Sequence, residues 1–194
     1  MIIGEKLRPV WIDVITIIKR SSVPEDPIHA KNTLYWLLKL SPKKPDPILK
    51  LAAFAHDIER AISEKRVKKD NFPDFETFKV AHAVNSAKIL SCIMKKHNIC
   101  KEAIKEIEFL VANHENGGSE KADLIKDADS LSFFDTNLII YAQRNSLDDV
   151  INRCIWGFKR ISFGRRKFLY EIINNKKDIF PILKEIPFLL KSQK

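Results

Sequence analysis

Five histidines stand at positions 29, 56, 82, 97 and 114, and the first chemical question is whether they are scattered or arranged. His56 is followed at once by Asp57, inside Leu51-Ala-Ala-Phe-Ala-His-Asp-Ile-Glu-Arg60. Ala52, Ala53 and Ala55 are small enough to let a neighbouring helix approach closely. An ionisable pair in such an apolar stretch is costly unless something compensates its burial, and a metal ion would do so. His82 lies in the series Phe75, Phe78, His82, Asn85, Ile89, and His114 in Ile104, Ile107, Val111, His114. Both series step by three and four, so both histidines point where a helical core should be. His29 follows Asp26-Pro27, a turn before Asn32, Thr33 and Trp36, and Asp129 sits between Ile125 and Phe133. Any one of these residues alone is more often a hydrogen-bonded core histidine or a surface aspartate. Four inward histidines and two aspartates on separate helices together point to a metal site made of His29, His56, Asp57, His82, His114 and Asp129. Imidazole and carboxylate suit one or two ions of Mn, Fe, Co, Ni or Zn. His97, among Lys95, Lys96 and Asn98, reads as exposed and outside the site.

The elements that must position these ligands are helical. Seven of the nine prolines fall before Asp74 and two lie at 181 and 187, so the long span between is free of the residue that breaks helices from inside. Leu7, Val10, Trp11, Val14, Ile15 and Ile18 trace a first amphipathic helix. Asp26-Pro27 predicts an N-cap and a helix through about Leu40, and Asp46-Pro47 predicts another through about Lys65. Asp74 should cap a long helix to about His97. A further helix is expected over 101–114, stopping before Gly117-Gly118. Ser119 should cap the next, through about Gln143. Ser146 with Asp149 resembles a capping box. No strand pair, repeat or linker is evident. The expectation is one all-α domain over 1–194 with about seven to nine helices, comprising a metal-binding core over about 25–140 and a basic helical part over 146–194.

The chain has 194 residues, 34 Lys+Arg against 25 Asp+Glu and a formal charge of +9. Hydrophobic residues make up 45%, a globular and not a disordered composition. No apolar run approaches the roughly 18 residues that a spanning helix needs, and Val10–Ile18 carries Asp13 in its middle, so neither a membrane span nor a signal peptide is expected. Three cysteines, at 92, 100 and 154, read as free thiols in a reducing cytoplasm. The charge is lopsided: residues 151–194 hold 11 Lys+Arg and 3 Asp+Glu, leaving the first 150 nearly neutral. Arg153, Lys159, Arg160, Arg165, Arg166 and Lys167 form the densest part, which suits either a solvated face or an anionic partner.

The order H…HD…H…H…D resembles the HD superfamily of metal-dependent phosphohydrolases, and in particular its small HD-domain proteins. The similarity spans about residues 25 to 140, with the Ala-rich segment ending in His-Asp-Ile as its most specific feature and Lys126-Asp-Ala-Asp-Ser-Leu131 as the final Asp helix. The resemblance implies that His29, His56, Asp57 and Asp129 hold one metal, that His82 and His114 complete a second, and that Asp57 bridges them. Val80-Ala-His-Ala-Val-Asn-Ser-Ala-Lys-Ile-Leu90 and Asn113-His-Glu-Asn-Gly-Gly118 are similar to the second-metal segments of the HD-GYP branch. The Gly-Tyr-Pro of that branch is absent, so its cyclic-dinucleotide specificity is not implied. Glu59-Arg60 replaces the more usual Gly-Lys-type continuation after His-Asp-Ile.

The activity so implied is hydrolysis of a phosphate ester, of a nucleotide or another small phosphorylated metabolite, by metal-activated hydroxide. Asp57, Glu59 and Arg60 are the candidate catalytic residues. Glu59 would orient a histidine, act as a base, or pair with a surface cation. Arg60, Lys79, Lys126, Arg153 and Arg160 are the candidate substrate contacts, since phosphate oxygens need cationic partners. Arg153 and Arg160, seven apart, share a helix face, and Trp156 between them either stacks on a base or packs in the core. Two other functions compete. One is an HD-type di-iron oxygenase, since some HD proteins with this ligand order cleave C–C or C–P bonds. The other is a nucleic-acid-binding module with a structural metal, for which no helix-turn-helix, zinc-finger or aromatic RNA-binding motif is present.

Overall fold

The computed structural model describes residues 3–184 and 186. Among them every regular element is helical: α1 (Ile3–Lys6), α2 (Arg8–Lys19), α3 (Asp26–Leu40), α4 (Pro47–Ala55), α5 (Phe75–Lys96), α6 (Lys101–Ala112), α7 (Glu120–Ser132), α8 (Leu138–Ala142), α9 (Leu147–Arg160), α10 (Arg166–Asn175) and α11 (Phe180–Leu183). The single-turn α1 and α11 aside, nine remain, the upper end of the expected range. Short 3₁₀ turns at Ile58–Ala61, Ser63–Lys65 and Lys69–Asn71 carry the chain from α4 to α5, and another at Phe163–Arg165 joins α9 to α10.

Side-chain caps fix several starts. The Asp46 carboxylate accepts from Leu49 N at 2.8 Å, Asp74 from Thr77 N at 2.7 Å, and the Ser119 and Ser146 hydroxyls from Ala122 N and Asp149 N at 3.2 Å each. Each such cap is worth about 1 kcal/mol. Asp26 is not an N-cap. Glu25 precedes the helix, and the Asp26 carboxylate instead accepts from Ser21 Oγ at 2.6 Å and pairs with Arg60 Nη2 at 3.0 Å. A buried carboxylate gains more from a guanidinium than from its own helix end. At Ser146 the hydroxyl also donates to the Asp149 carboxylate at 2.6 Å, so the return bond runs between side chains and not to the backbone as a capping box would have it.

The bundle is organised around α3, α4, α5, α6 and α7. Helix α5 lies along α6, α3 along α7, and α4 packs against α3, α6 and α7. The fully buried Leu37, Leu51, Ile107 and Ile125 come from four of these helices, and Ala52, Ala53 and Ala55 are wholly enclosed, as close helix approach requires. Helix α9 packs on α7, so the basic C-terminal part lies against the Asp129 helix.

Two helices stop earlier than the sequence periodicity suggests. Helix α4 ends at Ala55 and does not run to Lys65; at Asp57 the backbone turns to φ −101°, ψ 19° and continues as 3₁₀ turns. Helix α6 ends at Ala112, two residues before His114. The two ends share a feature: the histidine ring donates to a carbonyl of the last turn. His56 Nδ1 donates to Ala53 O at 2.9 Å, and His114 Nδ1 to Val111 O at 2.7 Å. After α6 the chain reverses through Gly117 (φ 80°), where a Cβ would stand 1.9 Å from Asp123 Oδ1, so only glycine fits.

Candidate metal centre

Four histidines and two aspartates meet where α3, the end of α4, α5, the end of α6 and α7 converge. His29, His56 and Asp57 form one possible ligand group, His56, His114 and Asp129 a second, and Asp57, His82 and His114 a third. The groups overlap, so all six residues singled out from sequence belong to one cluster. Asp57 is central. Its Oδ1 is 2.7 Å from His82 Nε2, 3.5 Å from His56 Nε2 and 3.6 Å from His114 Nε2, while Oδ2 is 3.9 Å from His29 Nε2. Asp129 Oδ1 lies 3.0 Å from His29 Nε2 and 3.4 Å from His56 Nε2.

Each imidazole is oriented from behind. The Nδ1–H groups of His56 and His114 donate to backbone carbonyls, that of His82 donates to Glu59 Oε1 at 2.7 Å, and that of His29 to Ser132 Oγ at 2.9 Å. The Ser132 hydroxyl in turn donates to His29 O at 3.3 Å, so it is free to accept from the ring. With Nδ1 committed as donor, every Nε2 points into the cluster, the arrangement typical of metal-ligating histidines. His56 Nε2 and His114 Nε2 are buried and have no hydrogen-bond partner. An orphaned buried nitrogen is costly, and these two stand among carboxylates, His56 Nε2 near Asp57 and Asp129 and His114 Nε2 3.1 Å from Glu115 Oε1 and 3.6 Å from Asp57 Oδ1, a setting that fits a cation. The donor set is therefore able to hold a divalent ion.

Electrostatics agree. Burial alone would lower the His56 pKa, but Asp57 and Asp129 raise it to about 9. Burial would raise both aspartates; instead His56, His82 and Arg60 hold Asp57 well below the usual carboxylate range, and Arg160 with His29 and His56 does the same for Asp129. The carboxylates are thus ionised and ready to ligate.

A cavity of about 280 Å³ opens beside the cluster, lined by Asp57, His82 and Asp129 on the ligand side and by Arg60, Arg66, Arg153, Phe75, Phe78 and Tyr141 elsewhere. Phe133, Asn137 and Tyr141 reach it because the helix that carries Asp129 passes through one π-helical turn at Phe133–Asn137 before resuming as α8. The wider turn resets the helical phase, and such turns recur at functional sites. A single helix from Ser119 to Gln143, as the sequence suggests, would lack this adjustment.

The other candidate residues have divided fates. Glu59 is buried and fully engaged: Oε1 holds His82, and Oε2 accepts from Val67 N at 2.8 Å and Asn85 Nδ2 at 2.7 Å. Its place is behind a ligand, as a positioning residue. Arg60 lines the cavity and binds Asp57 Oδ2 at 3.1 Å as well as Asp26, from a 3₁₀ turn and not from the α4 face. Lys79 lines the cavity, yet its ammonium pairs with Glu115. Lys126 lies outside that cavity. It donates to Asp123 Oδ1 at 2.9 Å, one turn further from Asp129, and faces a separate cleft shared with Lys159. Arg160 is no free clamp. It pairs with Asp129 Oδ2 at 2.7 Å and Glu115 Oε2 at 2.9 Å and donates to His114 O at 3.0 Å. Arg153 alone among the α9 cations lines the cavity with Nη1 buried and unpartnered. Trp156 lies under Arg153 at 4.6 Å and Arg160 at 4.3 Å, so its ring is already occupied.

His97 is half-buried and not exposed, bound to Asp13 Oδ2 at 2.9 Å far from the cluster. Glu115 joins the site as well: burial would raise its pKa, but Arg160 and Lys79 hold its carboxyl below the usual carboxylate range. Sequence reasoning passed over Asp127, which accepts from Ser162 N at 2.8 Å and Arg165 Nη1 at 2.5 Å and so ties the C-terminal part to α7.

Compared with known families, residues 13–178 match a domain of unknown function, DUF4202. The chain belongs to the DUF4202 family. The matched span runs from within α2 to just past α10 and takes in the six clustered residues and the α9 arginines. No curated protein and no solved structure matches this DUF4202 chain. Among the described residues no helix is long and apolar enough to cross a membrane.

Proposed function

We propose that this chain is a metal-dependent phosphohydrolase acting on a small phosphate ester. The observation that carries the reading is the convergence of four Nε2 atoms and two carboxylates, each imidazole fixed through Nδ1, beside a cavity with arginine in its wall. It agrees with the resemblance to the HD superfamily drawn from the sequence. His29, His56 and Asp129 would hold one ion, His82 and His114 another, with Asp57 between the two groups. When bound, such ions lower the pKa of water toward neutrality and supply Lewis acidity at the phosphoryl group. The protein's own part is separate. Arg60 and Arg153 offer guanidinium donors to phosphate oxygens, the geometry that such groups match. Glu59 and Ser132 keep two imidazoles in the ligating tautomer, and Arg160 keeps Asp129 ionised.

Elemental analysis with a metal-to-chain ratio, followed by phosphate release from a panel of nucleoside mono-, di- and triphosphates and sugar phosphates, tests the reading. His56→Ala and Asp57→Ala are expected to abolish both metal binding and release. Full activity in either, or no release from metal-loaded protein, overturns it. A di-iron oxygenase is the second reading, because an all-imidazole and carboxylate set without cysteine also suits iron; iron-dependent oxygen uptake would favour it. The nucleic-acid reading loses support because Arg160, Arg165 and Lys176 are spent on internal carboxylates.

A further inference from the structure

The cavity beside the cluster does not end at Arg153. Arg153, Phe75 and Tyr141 also line an annex of about 310 Å³, whose other walls include Trp156, Lys69 and Asn152. Three residues shared by two spaces make Arg153 the neck between them. Among the described residues no carboxylate pairs with its guanidinium. Its carbon centre stands 3.9 Å from the Phe133 ring centroid and 4.6 Å from that of Trp156. Gly157 leaves the room: a Cβ there would lie 3.3 Å from Arg153 Nη1 and 3.2 Å from the Phe134 ring. Nη1 is buried and lacks a hydrogen-bond partner. The residue as a whole is half-buried, so the rest of the guanidinium lines both spaces, and a cation there with no carboxylate paired to it among the described residues suits an anionic oxygen from outside the chain.

Beyond the neck the chemistry changes. Phe75 and Tyr141 present ring surface, and Trp156, covered by two guanidiniums, closes the wall. Asn152, exposed at the rim, carries both a donor and an acceptor in one amide. A bare alkyl group would leave the Asn152 amide unused, whereas a flat ring with hydrogen-bonding edges uses both the ring surface and the amide. We propose that the annex receives a nucleobase against Phe75 and Tyr141, while Arg153 at the neck binds an oxygen of the attached phosphate. The inference rests on the phosphohydrolase reading and names its substrate class: nucleoside monophosphates in preference to sugar phosphates.

Binding of unreactive probes separates the two ideas, because it needs no turnover. Calorimetry on the full chain with Mn²⁺ would titrate adenosine, ribose and inorganic phosphate. Adenosine, in the presence of phosphate, is expected to bind at least about tenfold more tightly than ribose. Tyr141→Ala and Phe75→Leu should each erode that preference, while Tyr141→Phe retains it. Arg153→Gln should weaken inorganic phosphate about tenfold at unchanged metal stoichiometry. Equal binding of adenosine and ribose, or a preference untouched in Tyr141→Ala and Phe75→Leu, overturns the annex assignment even if phosphate esters are hydrolysed. Phosphate binding unchanged in Arg153→Gln overturns the assignment of the neck. Adenosine binding with these variant effects in a chain that releases no phosphate supports the annex and removes the hydrolase reading alone.

Discussion

Arg160 and Arg153 lie seven residues apart on helix α9, and their surroundings differ in almost every respect. Arg160 meets two carboxylates, Asp129 and Glu115, and two backbone carbonyls. Arg153 meets aromatic rings, has no ion-pair partner among the described residues, and faces open space. Burial pushes the Arg153 pKa down, whereas at Arg160 the neighbouring carboxylates overcome burial and push it up. One end of the helix is thus saturated and holds the ligand cluster in shape. The other retains an unspent donor. Charge and sequence position do not distinguish a structural arginine from a binding one; the acceptors already present do.

The sharpest way to break this contrast is to remove each arginine in turn. Arg160→Ala leaves Asp129 and Glu115 buried without their cation, a loss of about 3–5 kcal/mol. In a domain of this size that is a fall in Tm on the order of 10 °C, readable by thermal denaturation. A change of only a degree or two would place Arg160 with the solvated charges. Next in size is a pH effect on the metal-free protein. His56 titrates at about 9 in the folded chain against an ordinary 6.5, so its favourable charge is fully present below about pH 6.5 and lost as pH rises through 9. In EDTA, Tm should therefore fall between pH 6.5 and 9. Divalent metal affinity should rise over the same window, because the ion displaces that proton. A flat profile in both measurements would show that His56 does not sit between ionised carboxylates.

Smaller effects are expected from residues behind the ligands and at the neck. Glu59→Gln keeps the shape but weakens the acceptor on His82 Nδ1, and metal affinity should drop about 10- to 100-fold in a chelator competition. The smallest stability change belongs to Arg153→Gln. Removing a half-buried guanidinium that has no carboxylate partner among the described residues should alter stability by less than about 1 kcal/mol, or raise it. A loss comparable with that of Arg160→Ala would erase the difference between the two ends of α9.

Much of this was legible in the residues themselves. Helical spacing placed His82 and His114 inward, and the caps at Asp46, Asp74, Ser119 and Ser146 marked four helix starts correctly. All six ligand candidates fall in one cluster. Helix ends were harder, because α4 and α6 terminate where a histidine ring captures a carbonyl, and that choice is made jointly with the cluster. The fates of Lys126 and Arg160 were hidden for a related reason. A cation's role depends on the nearest carboxylate in space, and Glu115 approaches Arg160 from a stretch 45 residues away in the chain. The π turn left no mark that periodicity could read, since Phe133, Phe134 and Asn137 suit an ordinary helix equally well.

The twin histidine-ended helices carry a consequence for how such a site tolerates change. Each ring is both the last clamp on its helix and a tooth of the chelate, so the bite of the site is set by the rotational phase at which α4 and α6 stop. One residue inserted within Leu49–Ala53 would turn His56 by about 100° and carry its Nε2 out of the cluster, although every ligand would still be present in the sequence. Insertions in the 3₁₀ stretch between Ser63 and Asn71 would leave that phase untouched. Length variation is therefore affordable on one side of His56-Asp57 and forbidden on the other.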